Sequence, residues 1–391
     1  MTENILQNLP HWIEVDLDKL LANAREVRRH LPDACQLMAV VKADAYGLGA
    51  VMVAQTLAEE CQALAVTTLE EGMELRRHGL SLPILVFTPP DSQTAPLYAQ
   101  HRFQVTIDSP ATLAALKDFD LDCHLKVDTG MHRLGCLPEL ASQLVSEIIA
   151  SPGLRLVGIY SHLAAAAKPK SAARQTAVFR QLIEELARQG QNYGQAHLAN
   201  SAALLHYPPA YFDLVRVGTA LYGQATGGLP AGWSLADTWQ AKARLLEIRQ
   251  VPKGQLVGYG GDLRAKRDLR LGIAAIGYSD GFTVEPQARP QGWASLIRQS
   301  GETVARLLLH HPKHYAAWQG QRLYPAGRVS MQLTAFDLGN TNLQKGDVLD
   351  ISLRRTCASS RISRIYRKGG AIVAVRDEQG VYSTLEVEGG F

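Results

Sequence analysis

The chain is poor in cysteine. Its 391 residues include five, Cys35, Cys61, Cys123, Cys136 and Cys357, with no CxxC pair among them. A scattered, odd set excludes a disulfide framework and points to a reducing compartment. Excess charge is also missing: 40 basic residues against 37 acidic ones leave a net charge of +3. That balance excludes a surface dedicated to nucleic acid. No apolar run approaches the roughly 20 residues of a membrane span. The first residues, MTENILQNLPHW, have neither a basic n-region nor an apolar h-region, so no signal peptide is expected. The cytoplasm is the expected compartment. Low-complexity tracts and fixed-period repeats are absent.

What is present is the composition of a soluble globular protein, 46% hydrophobic and 20% charged. The length is too great for one ordinary core and implies two domains, or a large barrel with a smaller partner. From Gln36 to about Gly218, short apolar runs alternate with helix-like segments. The runs are QLMAVVK (36–42), QALAVTT (62–68), PILVF (83–87), FQVTI (103–107), CHLKVD (123–128), LRLVGIYSH (154–162), QAHLAN (195–200) and DLVRVG (213–218). Strand–helix alternation argues for a parallel sheet with crossover helices. Runs apolar throughout suit strands covered on both faces. Eight such units fit a (β/α)8 TIM barrel over residues 11–230. The pattern alone leaves an open doubly wound sheet as the alternative. The segment at 171–189 has the helical period, with Ala177, Val178, Leu182, Ile183 and Leu186 on one broad face. Beyond the Gly/Pro-bearing loop near 224–239 the texture changes to short β-like stretches between Gly-rich turns. Residues 231–391 therefore read as a mostly-β C-terminal domain, which the strand at 11–16 is expected to join.

Barrel active sites form at the C-terminal ends of the strands. Several polar groups fall there. Lys42 ends the first run in AVVKADAYGLG. Lys126 lies in the fifth, with Arg133 soon after in DTGMHRLG. His162 ends the sixth, Asn200 and Ser201 follow the seventh, and Arg216 sits inside the eighth. One lysine at a strand end is ordinarily a solvated terminus. One buried basic residue is ordinarily half of an ion pair. A set converging on one barrel mouth instead suggests a site for an anionic, planar ligand.

The motifs AVVKADAYGLG, HLKVDTGMHRLG, GIYSHLA, HLANSAAL and DLVRVGTALYG, followed by VGYGG, IGYSDGF and AGRVSM, resemble those of the alanine racemase family, in order, over roughly residues 11–366. The resemblance implies a barrel plus a β domain, acting as a head-to-tail homodimer with pyridoxal 5'-phosphate as cofactor and a small amino acid as substrate. It implies that Lys42 holds the cofactor as a Schiff base. Tyr46, Ser201 and the backbone at Gly218 and Thr219 would cradle the phosphate, with Asn200 beside them. His162 would pack near the ring, and Arg216 would face its nitrogen. Lys42 and Tyr259 would be the two acid–base groups, Tyr259 coming from the partner subunit. Arg133, Met331 and Tyr278 would lie on the substrate side. Lys126 matches a lysine that is carbamylated in many members. No metal is implied.

The chain also departs from the family pattern. Asp44 and Leu48 stand where Asn and His are usual, Gln332 follows Met331 in place of Asp, and alanines occupy 164–167. Ser360 replaces a frequent tyrosine, and the segment 347–361 is short. These changes touch the entrance more than the reacting groups. A racemase for another small or polar amino acid such as serine, or a non-catalytic cofactor carrier, are the competing readings. His310, His311 and His314 lack a nearby carboxylate or cysteine and read as surface or gate residues. The basic stretch RRTCASSRISRIYRK reads as a solvated or cofactor-near face.

Overall fold

The computed structural model describes residues 6–285 and 313–385, with residues 293, 297, 300 and 301. The chain divides into two units. One is residues 17–238; the other joins the N-terminal strand to the chain from Trp239 onward.

The first unit is a (β/α)8 barrel. Its strands are β2 (Gln36–Val40), β3 (Ala63–Val66), β4 (Ile84–Val86), β5 (Val105–Ile107), β6 (Leu121–Lys126), β7 (Leu154–Tyr160), β8 (Gln195–His197) and β9 (Leu214–Val217). They pair in parallel as β4-β3-β2-β9 and β5-β6-β7-β8. Val86 N–H donates to Gln104 O and Gln104 N–H to Ile84 O, which joins β4 to β5; Asp213 N–H to Ala196 O and Arg216 N–H to Ala199 O close β8 onto β9. Each of the eight apolar runs thus becomes one barrel strand. They are apolar throughout because both faces are covered: Leu37, Met38, Ala39 and Val40 are all buried.

Helices α1 (Leu17–Arg29), α2 (Ala50–Leu57), α3 (Leu69–Arg77), α4 (Ala95–Gln100), α5 (Pro110–Leu116), α6 (Pro138–Ala150), α7 (Pro169–Arg188) and α8 (Ser201–His206) belong to the same unit. The buried face of α7 differs from the one read off the sequence. Thr176, Phe179, Leu182 and Leu186 are buried, whereas Ala177 is exposed. The face is rotated because Gln175 is used inside: its amide donates to His162 O and its oxygen accepts from Ala164 N–H. The unit boundary also falls later than residue 230. Asn23, in α1, donates to Leu221 O and Ala236 O and accepts from Ala236 N–H, tying the chain up to Thr238 onto the barrel.

The second unit is mostly β. Strand β1 (His11–Asp16) pairs antiparallel with the long β10 (Trp239–Val251) and parallel with β18 (Ser363–Lys368). The sheet continues from β10 to β17 (Val348–Ile351), β14 (Ala316–Trp318) and β15 (Gln321–Leu323), and from β18 to β19 (Ala371–Arg376) and β20 (Tyr382–Thr384). A branch adds β13 (Leu269–Ala274) and β16 (Thr334–Asp337), while β11 (Leu256–Val257) and β12 (Leu263–Arg264) form a separate hairpin. The basic stretch is corrected in part: Arg354, Arg361 and Lys368 are exposed, as a solvated face would be, but two of its arginines are buried. Much of it is β18, where Arg364 is fully buried and donates to the carbonyls of Ser360 and Ile362; Arg355 is buried as well. The strand buries its first four side chains and leaves Lys368 at its end exposed. His310 and His311 lie outside the described residues. His314 packs edge-on against Phe282 near Glu285.

Candidate active site

The C-terminal ends of the barrel strands surround a cavity of about 700 Å³. Lys42, Tyr46, Lys126, Arg133, His162, Asn200, Ser201, Arg216, Gly218 and Thr219 all line it, and among the described residues no carboxylate does. Such a wall suits a ligand with several negative charges.

Lys42 is delivered by an unusual turn. After β2 the backbone enters left-handed conformation for four successive residues that are not glycine: Ala43, Asp44, Ala45 and Tyr46, with φ of 51°, 54°, 50° and 56°. Each costs about 1–2 kcal/mol against ordinary helix. Local bonds hold the run. Ala45 N–H donates to Val41 O, Gly49 N–H to Asp44 O, and Ala50 N–H to the Asp44 carboxylate at 2.8 Å. Burial and the nearby Arg133 lower the pKa of Lys42, so its amine is more readily neutral than a surface lysine.

Tyr46, on the same turn, reaches the start of the loop after β9. A Cβ at residue 218 would sit 2.5 Å from the Tyr46 hydroxyl, so any side chain there would displace the Tyr46 ring. Gly218 N–H and Ala220 N–H both donate to Ser201 Oγ, at 3.0 and 3.3 Å. Asn200 caps α8 by accepting from Ala203 N–H, and its amide donates to Leu163 O. A serine hydroxyl beside several backbone N–H groups is chemistry that a phosphate can use.

Arg216 is 3% exposed. Its guanidinium meets carbonyls and imidazoles. It donates to Ser161 O at 2.6 Å, His197 O at 2.9 Å and His197 Nδ1 at 3.0 Å, with His162 Nδ1 at 3.3 Å. It also lies over the Tyr160 ring. Arginine has only donors, so the imidazole nitrogens that face it must accept. This assigns the tautomers outward. His197 carries its proton on Nε2 and donates to His124 Nδ1; His124 then carries its proton on Nε2 and donates to the Gln104 side-chain oxygen, each at 3.0 Å. Burial, reinforced by Arg216, pushes His124 and His162 down to about 3 and lowers His197 as well, so all three rings are neutral. Burial brings Arg216 itself to about 10, still cationic at neutral pH.

Lys126 stands two residues beyond His124 on β6 and shares its face. It lies over the Tyr160 ring. Burial, then Arg133 and Arg216, bring it down to about 8. Arg133 is exposed at the rim, on a loop cinched by the Asp128 carboxylate, which accepts from Gly130 and Met131 N–H. His124, His197, Gln104 and Tyr160 were not singled out from the sequence. Their signal was present: polar side chains at alternate positions of a strand otherwise apolar, as in HLK at 124–126.

Tyr259, Tyr278 and Met331 lie in the β unit and are exposed by 71%, 47% and 56%. Tyr259 opens a single turn, Tyr259–Gly261, after β11. Tyr278 and Met331 are neighbours: Tyr278 N–H donates to Ser330 O, and Ser279 N–H donates to Met331 O.

The sequence and the fold match known proteins. Residues 15–226 match the family "Alanine racemase, N-terminal domain" and residues 238–372 match "Alanine racemase, C-terminal domain". An alanine racemase of Nostoc sp. is 38% identical over 357 residues, which is 87% of this chain and 86% of that one. A serine/alanine racemase of Enterococcus gallinarum is 37% identical over 274 residues, 67% of this chain and 39% of that one. The crystal structure of alanine racemase from Bacillus anthracis with bound L-Ala-P superposes with a TM-score of 0.81 at 26% identity, covering 95% of this chain and 98% of the other. The chain belongs to the alanine racemase family.

Proposed function

We propose that this chain interconverts L- and D-alanine, using pyridoxal 5'-phosphate bound through Lys42, as a cytoplasmic homodimer. The observation that carries the reading is the barrel-mouth cavity, lined by Lys42 and other cations and, among the described residues, by no carboxylate, in a chain of this family. The wall fits the cofactor. Tyr46, Ser201 and the backbone of Gly218 and Thr219 would hold its phosphate, with Asn200 alongside. His162 would pack on its ring and Arg216 would face the ring nitrogen. Bound there, the cofactor supplies an electron sink that acidifies the substrate's Cα–H bond.

The chain's own groups do the rest. Arg216 presents a fixed positive charge and no acceptor, which disfavours a proton on the group it faces. That restrains the electron sink and favours return of the proton over other outcomes. Lys42 Nζ removes or returns the Cα proton on one face. The hydroxyl of Tyr259 of the partner subunit does so on the other, because inversion needs acid–base groups on opposite sides. The exposure of Tyr259 in its own chain supports a role outside it. Arg133 holds the substrate carboxylate, with Met331 and Tyr278 at the entrance. Lys126 is a candidate for carbamylation, in which its neutral amine adds carbon dioxide and releases a proton. Its lowered pKa raises the neutral fraction at physiological pH. The free cysteines suit a reducing cytoplasm.

A second reading, racemisation of serine, is favoured by the similarity to the serine/alanine racemase. The test of both is Cα-proton exchange in deuterated water with added pyridoxal 5'-phosphate, read by chiral chromatography. Exchange with inversion on alanine supports the first reading. Exchange on serine in preference to alanine supports the second. No exchange on any amino acid overturns both.

A further inference from the structure

Glu71 belongs to no group discussed so far. It lies in the first turn of α3, and part of what it does is an ordinary helix cap. Thr68 Oγ1 accepts from Glu71 N–H, and the Glu71 carboxylate returns the bond to the N-cap backbone. Its Oε2 accepts from Thr67 N–H at 2.7 Å and Thr68 N–H at 3.2 Å. A cap needs no more than this. The second oxygen does something else: Oε1 accepts from Ala43 N–H at 2.5 Å. Ala43 is the first left-handed residue and directly follows Lys42. One carboxylate therefore ties the end of β3 to the turn that ends β2.

We propose that Glu71 is a positioning residue for Lys42, its carboxylate clamping the left-handed turn so that the lysine amine is held at the cavity. The physical need is plain. Alanine, aspartate and tyrosine leave left-handed conformation readily unless something holds them. Ala43 N–H points at no backbone acceptor of its own turn, and the carboxylate meets it with a charge-assisted bond. If the turn relaxed, Lys42 would lose its direction while the rest of the barrel stood.

The consequence for turnover rests on the proposed function; the clamp does not. The experiment uses the full chain and the variants Glu71→Gln and Glu71→Asp. A carboxamide keeps one acceptor oxygen and sets an NH2 group against backbone donors. Aspartate keeps the charge but is one methylene too short to reach both strands. Hydrogen exchange of peptides spanning 41–48, 64–69 and the remaining barrel is read first, with and without pyridoxal 5'-phosphate. Next comes the rate at which absorbance develops when pyridoxal 5'-phosphate is added to cofactor-stripped protein. There the Lys42 amine condenses with the aldehyde and water leaves. Steady-state kinetics on alanine complete the set.

Both variants are expected to speed exchange in 41–48 at least tenfold with β6–β9 unchanged. Condensation should slow, and kcat should fall at least tenfold while KM moves less than threefold. Unchanged exchange at 41–48 in both variants would overturn the clamp. Faster exchange with unaltered condensation and kcat would reduce Glu71 to a helix cap and overturn it too. Wild-type protein that never condenses with the cofactor would sink the proposed function instead, and the exchange result would still decide the clamp.

Discussion

The two regions that supply candidate residues hold them in opposite ways. At the barrel mouth, Arg216 and Lys126 are 3% and 6% exposed, and Arg216 is gripped by carbonyls and rings from neighbouring strands. In the β unit, Tyr259 and Met331 are 71% and 56% exposed. The barrel residues are part of what folding builds, so changing them disturbs stability and chemistry together. The β-unit residues are presented by the fold without supporting it, so changing them should alter chemistry alone.

That contrast can be broken or sharpened by measurement. Lys42→Ala has the largest expected effect, a loss of turnover of at least ~10⁴-fold together with loss of covalently held cofactor. Ordinary turnover in that variant would remove the barrel mouth from the reaction. Tyr259→Phe should lower turnover by about 10²–10⁴-fold, with cofactor absorbance and urea midpoint unchanged. A shifted midpoint would show Tyr259 to be structural. Arg216→Ala leaves the Ser161 and His197 carbonyls without their donor and should cost about 3 kcal/mol by urea denaturation.

Acid supplies a gentler probe. His124 and His162 titrate near 3 in the fold against 6.5 for an ordinary histidine. Well above 6.5 neither state holds a proton on these rings. As pH falls from 6.5 toward 3, the unfolded chain takes up protons that the fold refuses, so stability is lost. At pH 5 the penalty should be about 2 kcal/mol per histidine, and His124→Asn should remove its share of the slope. Met331→Ala is expected to have the smallest effect, within about 0.5 kcal/mol of stability.

Much of this was legible beforehand, for physical reasons. Eight runs apolar on both faces can only be strands buried on both sides, and their polar ends mark the barrel mouth. The left-handed turn was hidden because residues 43–46 include no glycine, the usual sign of positive φ. The His197–His124–Gln104 chain was hidden because its members come from β8, β6 and the residue before β5, and only the sheet order β5-β6-β7-β8 brings them together. Gly158, on β7 between the two histidine strands, shows how tight that packing is: a Cβ there would lie 2.4 Å from His124 Nδ1. The burial of Arg364 was not foreseen because charge outweighed strand pattern, whereas β18 pairs with β1 on one side and β19 on the other.

The turn after Lys42 also bears on handedness. For four residues the backbone follows the mirror image of the path that L-residues prefer. A D-alanine placed at 43 or 45 by chemical ligation would therefore sit in the backbone region it prefers. The same replacement two turns later in α2 would cost about 1–2 kcal/mol. The protein keeps, beside its reactive lysine, a short stretch of chain that its own monomers fit poorly and their enantiomers would fit well.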